Sequence, residues 1–193
     1  MRSLRPEQDN RLQKTFLVGL LLTALLPAVN AQSDTAKIHV GTVHLEFEHS
    51  KTNPGFTDLM GHVKITSDDY DLYAADIKIY SAPGSKTAAS GIQRAVAVGG
   101  AVPGSQVIAH IRQPLQSEEF EIDSDRAVYL PDHTRPSGGT MKFTGHVTVI
   151  TKSGFLAEPS VLTTDTATVL LGAGSEYPAV DTGPGHLTLT PAQ

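Results

Sequence analysis

The chain predicts an all-β domain of repeated antiparallel strands, preceded by an export signal. Three observations carry this expectation. Apolar and polar residues alternate at period two, most clearly across 61–80. Thr, Val, Ile and Tyr dominate the patterned segments, and no amphipathic helix stands out beyond the first 31 residues. Glycines that open comparable units, Gly61, Gly100, Gly145 and Gly185, recur about every 40 residues, the span of one supersecondary repeat.

The chain starts with Arg2, Arg5, Arg11 and Lys14, a positive n-region. Thr15 to Pro27 is an apolar h-region, and Val29-Asn30-Ala31 is a small-residue cleavage site. Its thirteen residues are short of the roughly 20 that cross a bilayer. Residues 1–31 are therefore expected to be a signal peptide, and 32–193 one domain with no composition break. That domain carries 11 Lys+Arg against 18 Asp+Glu, a net charge of −7 with His neutral. An acidic domain is a poor match for nucleic acid or for an anionic membrane surface. There is no cysteine, so strand pairing and apolar burial must hold an exported fold without disulfides.

After the signal, Lys37–Phe47 reads as a strand and Ser50–Gly55 as a loop punctuated by Asn53-Pro54-Gly55. Gly61–Tyr80 reads as two strands around a Ser67-Asp68-Asp69 turn. In its second strand Ala75, Ile77 and Ile79 share one parity, and Asp76, Lys78 and Tyr80 the other. Ser81–Gly91 and Leu130–Gly139 read as small-residue loops. A second unit comprises Arg94–Val98, Val107–Ile111 and Phe120–Tyr129. A third opens at Met141–Thr144, repeats Gly-His-Val at Gly145–Val147, turns at Ser153-Gly154 and continues through Val161–Val169. Leu171–Gly185 is rich in Gly and Pro and leads to a last strand from Gly185.

No catalytic constellation is present. Gly172-Ala173-Gly174-Ser175 lacks the last glycine of a nucleophile elbow, and no phosphate loop or dinucleotide fingerprint occurs. His39, His44 and His49 lie at odd separations, so on one regular strand they cannot share a metal. Neither a metal nor any other cofactor is expected. His62 and His146 read as equivalent outward positions after a repeat glycine. Asp68, Asp69 and Asp71 read as a solvated turn, without the glycine and bidentate glutamate of a calcium loop. Asp76, Asp125 and Asp165 recur at similar places. They read as turn or edge positions that set register, with head-group contact as the alternative.

The period-two apolar sets of three successive units give an expected inner face: Ile65, Ile77, Ile79, Val96, Val98, Phe120, Ile122, Phe143, Val147 and Val149. These residues form either one continuous apolar trough or a closed core.

Over roughly residues 37–190 the chain resembles the OstA-like (LptA) family of periplasmic lipopolysaccharide-transport proteins. The resemblance rests on Gly61-His62-Val63-Lys64-Ile65, Tyr73-Ala74-Ala75-Asp76-Ile77-Lys78-Ile79-Tyr80, Asp125-Arg126-Ala127-Val128-Tyr129 and Thr144-Gly145-His146-Val147. The long loop Ser81–Gly91 and the wide separation of Gly100 from Asp125 depart from the family pattern. The resemblance implies a single open, twisted β-jellyroll over 32–193, located in the periplasm and not an enzyme. It implies that the ten inner-face residues contact the acyl chains of lipopolysaccharide or a related glycolipid. It also implies terminal strands that join head to tail with further copies, or with inner- and outer-membrane transport components. The alternatives are an LptC-like subunit that keeps residues 15–31 in the inner membrane, and a structural or adhesive β-solenoid without lipid.

Overall fold

The computed structural model describes residues 36–40, 43–82, 92–100, 105–113, 118–132, 134, 138–153, 158–172 and 178–188. The expected signal peptide, Gly154 of the Ser153-Gly154 turn and most of the Ser81–Gly91 loop lie outside the described residues, while Ser153 ends a strand. Every regular element among the described residues is a strand. They are β1 (Ala36–Val40), β2 (Val43–Phe47), β3 (His49–Asn53), β4 (Phe56–Thr66), β5 (Tyr70–Ser81), β6 (Ile92–Val98) and β7 (Val107–Gln113). The rest are β8 (Glu118–Ser124), β9 (Arg126–Pro131), β10 (Gly139–Ser153), β11 (Ser160–Leu171), β12 (Ala179–Thr182) and β13 (Gly185–Thr188).

These strands form eight long lanes, each antiparallel to the next. Lane 1 is β2 followed by β3, lane 2 is β4 and lane 3 is β5. Lane 4 is β6 followed by β7, lane 5 is β8 followed by β9, and lane 6 is β10. Lane 7 is β11, and lane 8 is β12 followed by β13. β1 adds half a lane beside β2. Among the described residues the order runs from β1 and β3 at one edge to β12 and β13 at the other, and the two edges do not pair with each other. The molecule is an open, twisted β-jellyroll.

A crease crosses the middle of all eight lanes. It passes Glu48, Gly61-His62, Ala75-Asp76, Gly99-Gly100, Asp125, Gly145-His146, Asp165 and Gly183. One half-sheet contains β9 with β3, β6 and β12, and the other contains β8 with β2, β7 and β13; β4, β5, β10 and β11 run through both. Buried residues of the two half-sheets, such as Met141 and Phe143 from one and Ile111 and Ile122 from the other, belong to one apolar cluster. The sheet is thus folded on itself around a single core.

Side-chain parity records the crease. Along an unbroken strand, inward residues are two apart. In lanes 3, 5 and 7 the inward pairs Ala74/Ile77, Ser124/Ala127 and Thr164/Ala167 are three apart, so two consecutive residues point outward at the corner. In lanes 2 and 6 the pairs Leu59/Val63 and Phe143/Val147 are four apart. The extra residue is a bulge between Met60 and Val63, and between Thr144 and Val147. Both bulges use left-handed backbone, with φ of 79° and 47° at Gly61-His62 and 80° and 46° at Gly145-His146. Glycine suits the first position, and His is among the side chains that enter this region more readily.

Several expectations change. Lys37–Phe47 is not one strand: β1 and β2 pair antiparallel from Ala36↔Phe47 to Val40↔Val43. Residues 49–53 are a strand, paired from His49↔Met60 to Asn53↔Phe56, so only Pro54-Gly55 turns. Phe120–Tyr129 divides at Asp125, where the crease interrupts the ladder. Ala75 does not join Ile77 and Ile79 on the buried face, because the corner turns it half outward. Leu130 and Pro131 extend β9, and the Gly/Pro-rich segment contains β12.

Candidate functional site

The interior between the half-sheets is the candidate site. Eight of the ten expected inner-face residues line it. Ile77 pairs with Leu59 and Ala97, and Ile79 with Thr57 and Ala95, in the β9 half-sheet. Phe143 lies between Ala127 and Ala167 and has no exposed surface. In the β8 half-sheet Ile122 lies between Ala109 and Val149, Val147 pairs with Thr164, and Val149 pairs with Leu162. Ile65 and Phe120 face the same interior, half-buried against the cluster.

Val96 and Val98 do not face it. Val96 pairs with Lys78 and Val128, and Val98 with Asp76 and Arg126, so both sit on the outer face. Antiparallel partners share a side, and the inward residues of β6 are Ala95 and Ala97. Alternation in Arg94–Val98 left parity undecided, since four of its five residues are apolar. Val98 is 36% exposed; Val96 is buried but stands outside the apolar cluster.

The interior also contains residues that the period-two sets did not select. Leu45, Phe47, Leu59, Leu72, Ile111, Met141, Val169 and Leu171 are all buried in it. The deep positions are filled by the chain's own side chains. The half-buried apolar residues Val43, Ile65, Tyr70, Phe120 and Leu162 lie near the free ends of the β8 half-sheet, and Ile92, Ala95, Tyr129 and Val180 in the β9 half-sheet. They make two apolar lips away from the crease. Burial pushes the Tyr70 hydroxyl up, and Tyr129 from the opposite half-sheet and Asp69 add to the shift. Both phenols therefore stay neutral over the ordinary pH range, and Tyr129 donates to the Gly138 carbonyl at 3.2 Å.

A polar frame surrounds one lip. Arg112 Nη1 donates to Asp71 Oδ2 at 2.8 Å, its Nε to the Asp68 carbonyl at 3.1 Å, and its Nη2 to the Ser67 carbonyl. The Arg112 amide donates to the Asp69 carbonyl at 2.9 Å. Arg112 thus clamps the β4–β5 turn, and its hydrogen bond holds the Asp71 carboxyl below the usual range. An adjoining cleft of about 220 Å³ is lined by Arg112, Lys152, His110, Glu121 and Phe120 among others.

The crease carries its own polar set. Glu48 Oε1 meets His62 Nδ1 at 2.6 Å, and Asp125 Oδ2 meets His146 Nδ1 at 2.8 Å. The two arrangements are equivalent, one in each four-lane half of the chain. His62 and His146 are both outward and exposed, and Asp125 and Asp165 are crease residues. Buried Ser124 and Thr164 each place a hydroxyl at the corner: Ser124 Oγ donates to the Arg126 carbonyl at 3.2 Å, and Thr164 Oγ1 donates to the Pro184 carbonyl of lane 8 at 2.9 Å. These bonds satisfy backbone groups where the ladder breaks. His39 and His44 are cross-strand partners in the β1–β2 hairpin, which replaces the single-strand parity argument. Among the described residues no three His, Cys, Asp or Glu side chains gather as a metal site.

No family model matches the chain, and no curated protein matches it in sequence. The fold is similar to that of LptH from Pseudomonas aeruginosa, described as the LptA-homologous periplasmic component of the lipopolysaccharide transport device. That similarity has a TM-score of 0.54 at 8% identity, covering 77% of this chain and 95% of that one. It establishes a shared fold.

Proposed function

We propose that the protein is a periplasmic carrier that shields the acyl chains of lipopolysaccharide or a related glycolipid and bridges inner to outer membrane. The observation that carries the reading is one apolar cluster shared by both walls of an open jellyroll, in a fold like that of LptH. The chemistry fits the task. An acyl chain of about 12 methylenes exposed to water costs on the order of 10 kcal/mol, at about 0.8 kcal/mol per CH₂. Ile65, Ile77, Ile79, Phe120, Ile122, Phe143, Val147 and Val149 offer the matching surface. Since the deep positions are filled, the walls part as lipid enters between the lips, and acyl chains replace contacts that the side chains make with each other. Sugar and phosphate groups remain outside at the polar frame. Removal of residues 1–31 releases the carrier into the periplasm, and its role is binding rather than catalysis. The outer edges of β1, β3, β12 and β13, unpaired among the described residues, suit head-to-tail pairing with further copies or with membrane components.

The filled interior favours one second reading, a scaffold whose core never opens. Native mass spectrometry of protein purified from its own envelope separates the two. The carrier retains a glycolipid of defined mass; a protein that is always lipid-free, and that fails to bind added lipopolysaccharide, is the scaffold.

A further inference from the structure

We infer that β1 is a removable edge strand that occupies the place of a second copy's lane 8 and must leave β2 before two copies can join. The inference rests on the head-to-tail reading above and adds to it a competing strand within the chain.

Direction is the first argument. Odd lanes run from the β8 half-sheet to the β9 half-sheet, and even lanes run back. Lane 8 is even, so it matches lane 1 of another copy as an antiparallel neighbour along both halves. β1 is antiparallel to β2, from Ala36↔Phe47 to Val40↔Val43. It therefore runs in the even direction and covers only the β8 half of lane 1. It stands where β13 of another copy would lie, with the same polarity. Beside β3, the other half of that position holds no described strand.

Spacing is the second. With β1 in place the outer edge is stepped by one strand, about 4.8 Å, whereas β12 and β13 both pair with β11 and end flush. An arriving β13 would have to pair with β1 in parallel. β12 would then stand about two strand spacings from β3, too far for hydrogen bonds. With β1 gone, β12–β13 can pair antiparallel along the whole of β3 and β2.

The crease supplies the third. Acidic residues mark the odd lanes (Glu48, Asp76, Asp125, Asp165), and glycines mark the even ones (Gly61, Gly99, Gly145, Gly183). Lane 1 has a glycine lane on one side only, and lane 8 an acidic lane on one side only. Joining them continues the alternation through the contact. The residues of β13 are all exposed, Leu187 by 52%, and exposed Lys51 on β3 and Asp181 on β12 carry opposite charges. The free edge of β3 thus takes β12 first, and β13 then displaces β1 from β2.

The test locks β1 in place. Lys37 and Glu46 are cross-strand partners, and the chain has no cysteine, so Lys37→Cys with Glu46→Cys gives one unambiguous disulfide, confirmed by mass. Sedimentation velocity should show at least tenfold weaker self-association for the oxidised protein than for the same protein reduced. Of two successive residues one turns its N–H to β2, so Ile38→Pro and His39→Pro are both made. At least one should associate severalfold more tightly than wild type. Equal association of oxidised and reduced forms, or monomers throughout, overturns the inference. Lipopolysaccharide binding is measured on the oxidised monomer as a separate readout. A working lock on a protein that binds no lipid ends the carrier reading alone, and lipid binding with an ineffective lock ends the β1 inference alone.

Discussion

At the residue scale, the crease depends on a few positions with no ordinary substitute. A Cβ on Gly61 would lie 2.5 Å from Glu48 Oε2, and one on Gly145 would lie 2.5 Å from Asp125 Oδ2, both on left-handed backbone. Gly145→Ala should therefore cost about 1–3 kcal/mol of stability in urea unfolding. Gly55→Ala, also left-handed but with open space around it, should cost about 1 kcal/mol. The Asp125–His146 pair makes a pH prediction. Hydrogen bonding to Asp125 raises the His146 pKa above its ordinary 6.5. The pair's contribution is thus present below pH 6.5 and is lost as pH rises through the folded value. Asp125→Asn should return the imidazole toward 6.5 in an NMR titration; an unchanged midpoint would remove Asp125 as the cause. Asp71 has the opposite sign. Its pKa is lowered by the Arg112 hydrogen bond from 3.8, so that contribution is present above pH 3.8 and is lost as pH falls through the folded value. Arg112→Gln should flatten the fall of stability below pH 4 relative to wild type.

At the element scale, parity separates what was legible from what was not. Ile77, Ile79, Ile122, Phe143, Val147 and Val149 alternate with polar residues, so their inward placement could be read from sequence. Val96 and Val98 alternate with alanines, and only their pairing with Lys78 and Asp76 fixes the face. A charge scan tests this directly. Val98→Lys should change stability by less than about 0.5 kcal/mol, and Ala97→Lys should cost more than about 3 kcal/mol by burying an unpaired ammonium. Equal costs would mean that β6 is misregistered. Phe143→Ala, at the centre of lane 6, should cost about 3–5 kcal/mol. The crease was half legible. Gly-His-Val at 61–63 and 145–147 signalled a repeat, but the glycines interrupt long strands rather than open new ones. Period-two reasoning treats a strand as unbroken, so it carried Ala75 to the wrong side and joined β8 to β9. The division into β1 and β2 was hidden for a related reason: between Val40 and Val43 the sequence has no Asn-Gly or Pro-Gly pair to signal a hairpin.

At the scale of the whole molecule, two four-lane units share one creased sheet. Glu48, Gly61-His62, Asp76 and Gly99 recur as Asp125, Gly145-His146, Asp165 and Gly183. A sheet built by repetition has no internal reason to stop, so its edges stay available for further strands, and β1 stands at one of them. The same architecture encloses a long interior with no second apolar cluster among the described residues. The central claim is that this interior opens to lipid. The most direct test places a photo-crosslinking side chain at Phe120, on the lip, and at Phe143, deep in lane 6, with Lys64 and Lys142 on the outer face as controls. In envelopes actively moving lipopolysaccharide, the carrier account predicts lipid adducts at Phe120 and Phe143 and none at the two lysines. Adducts only to neighbouring protein at both phenylalanines, in the same active sample, would contradict it.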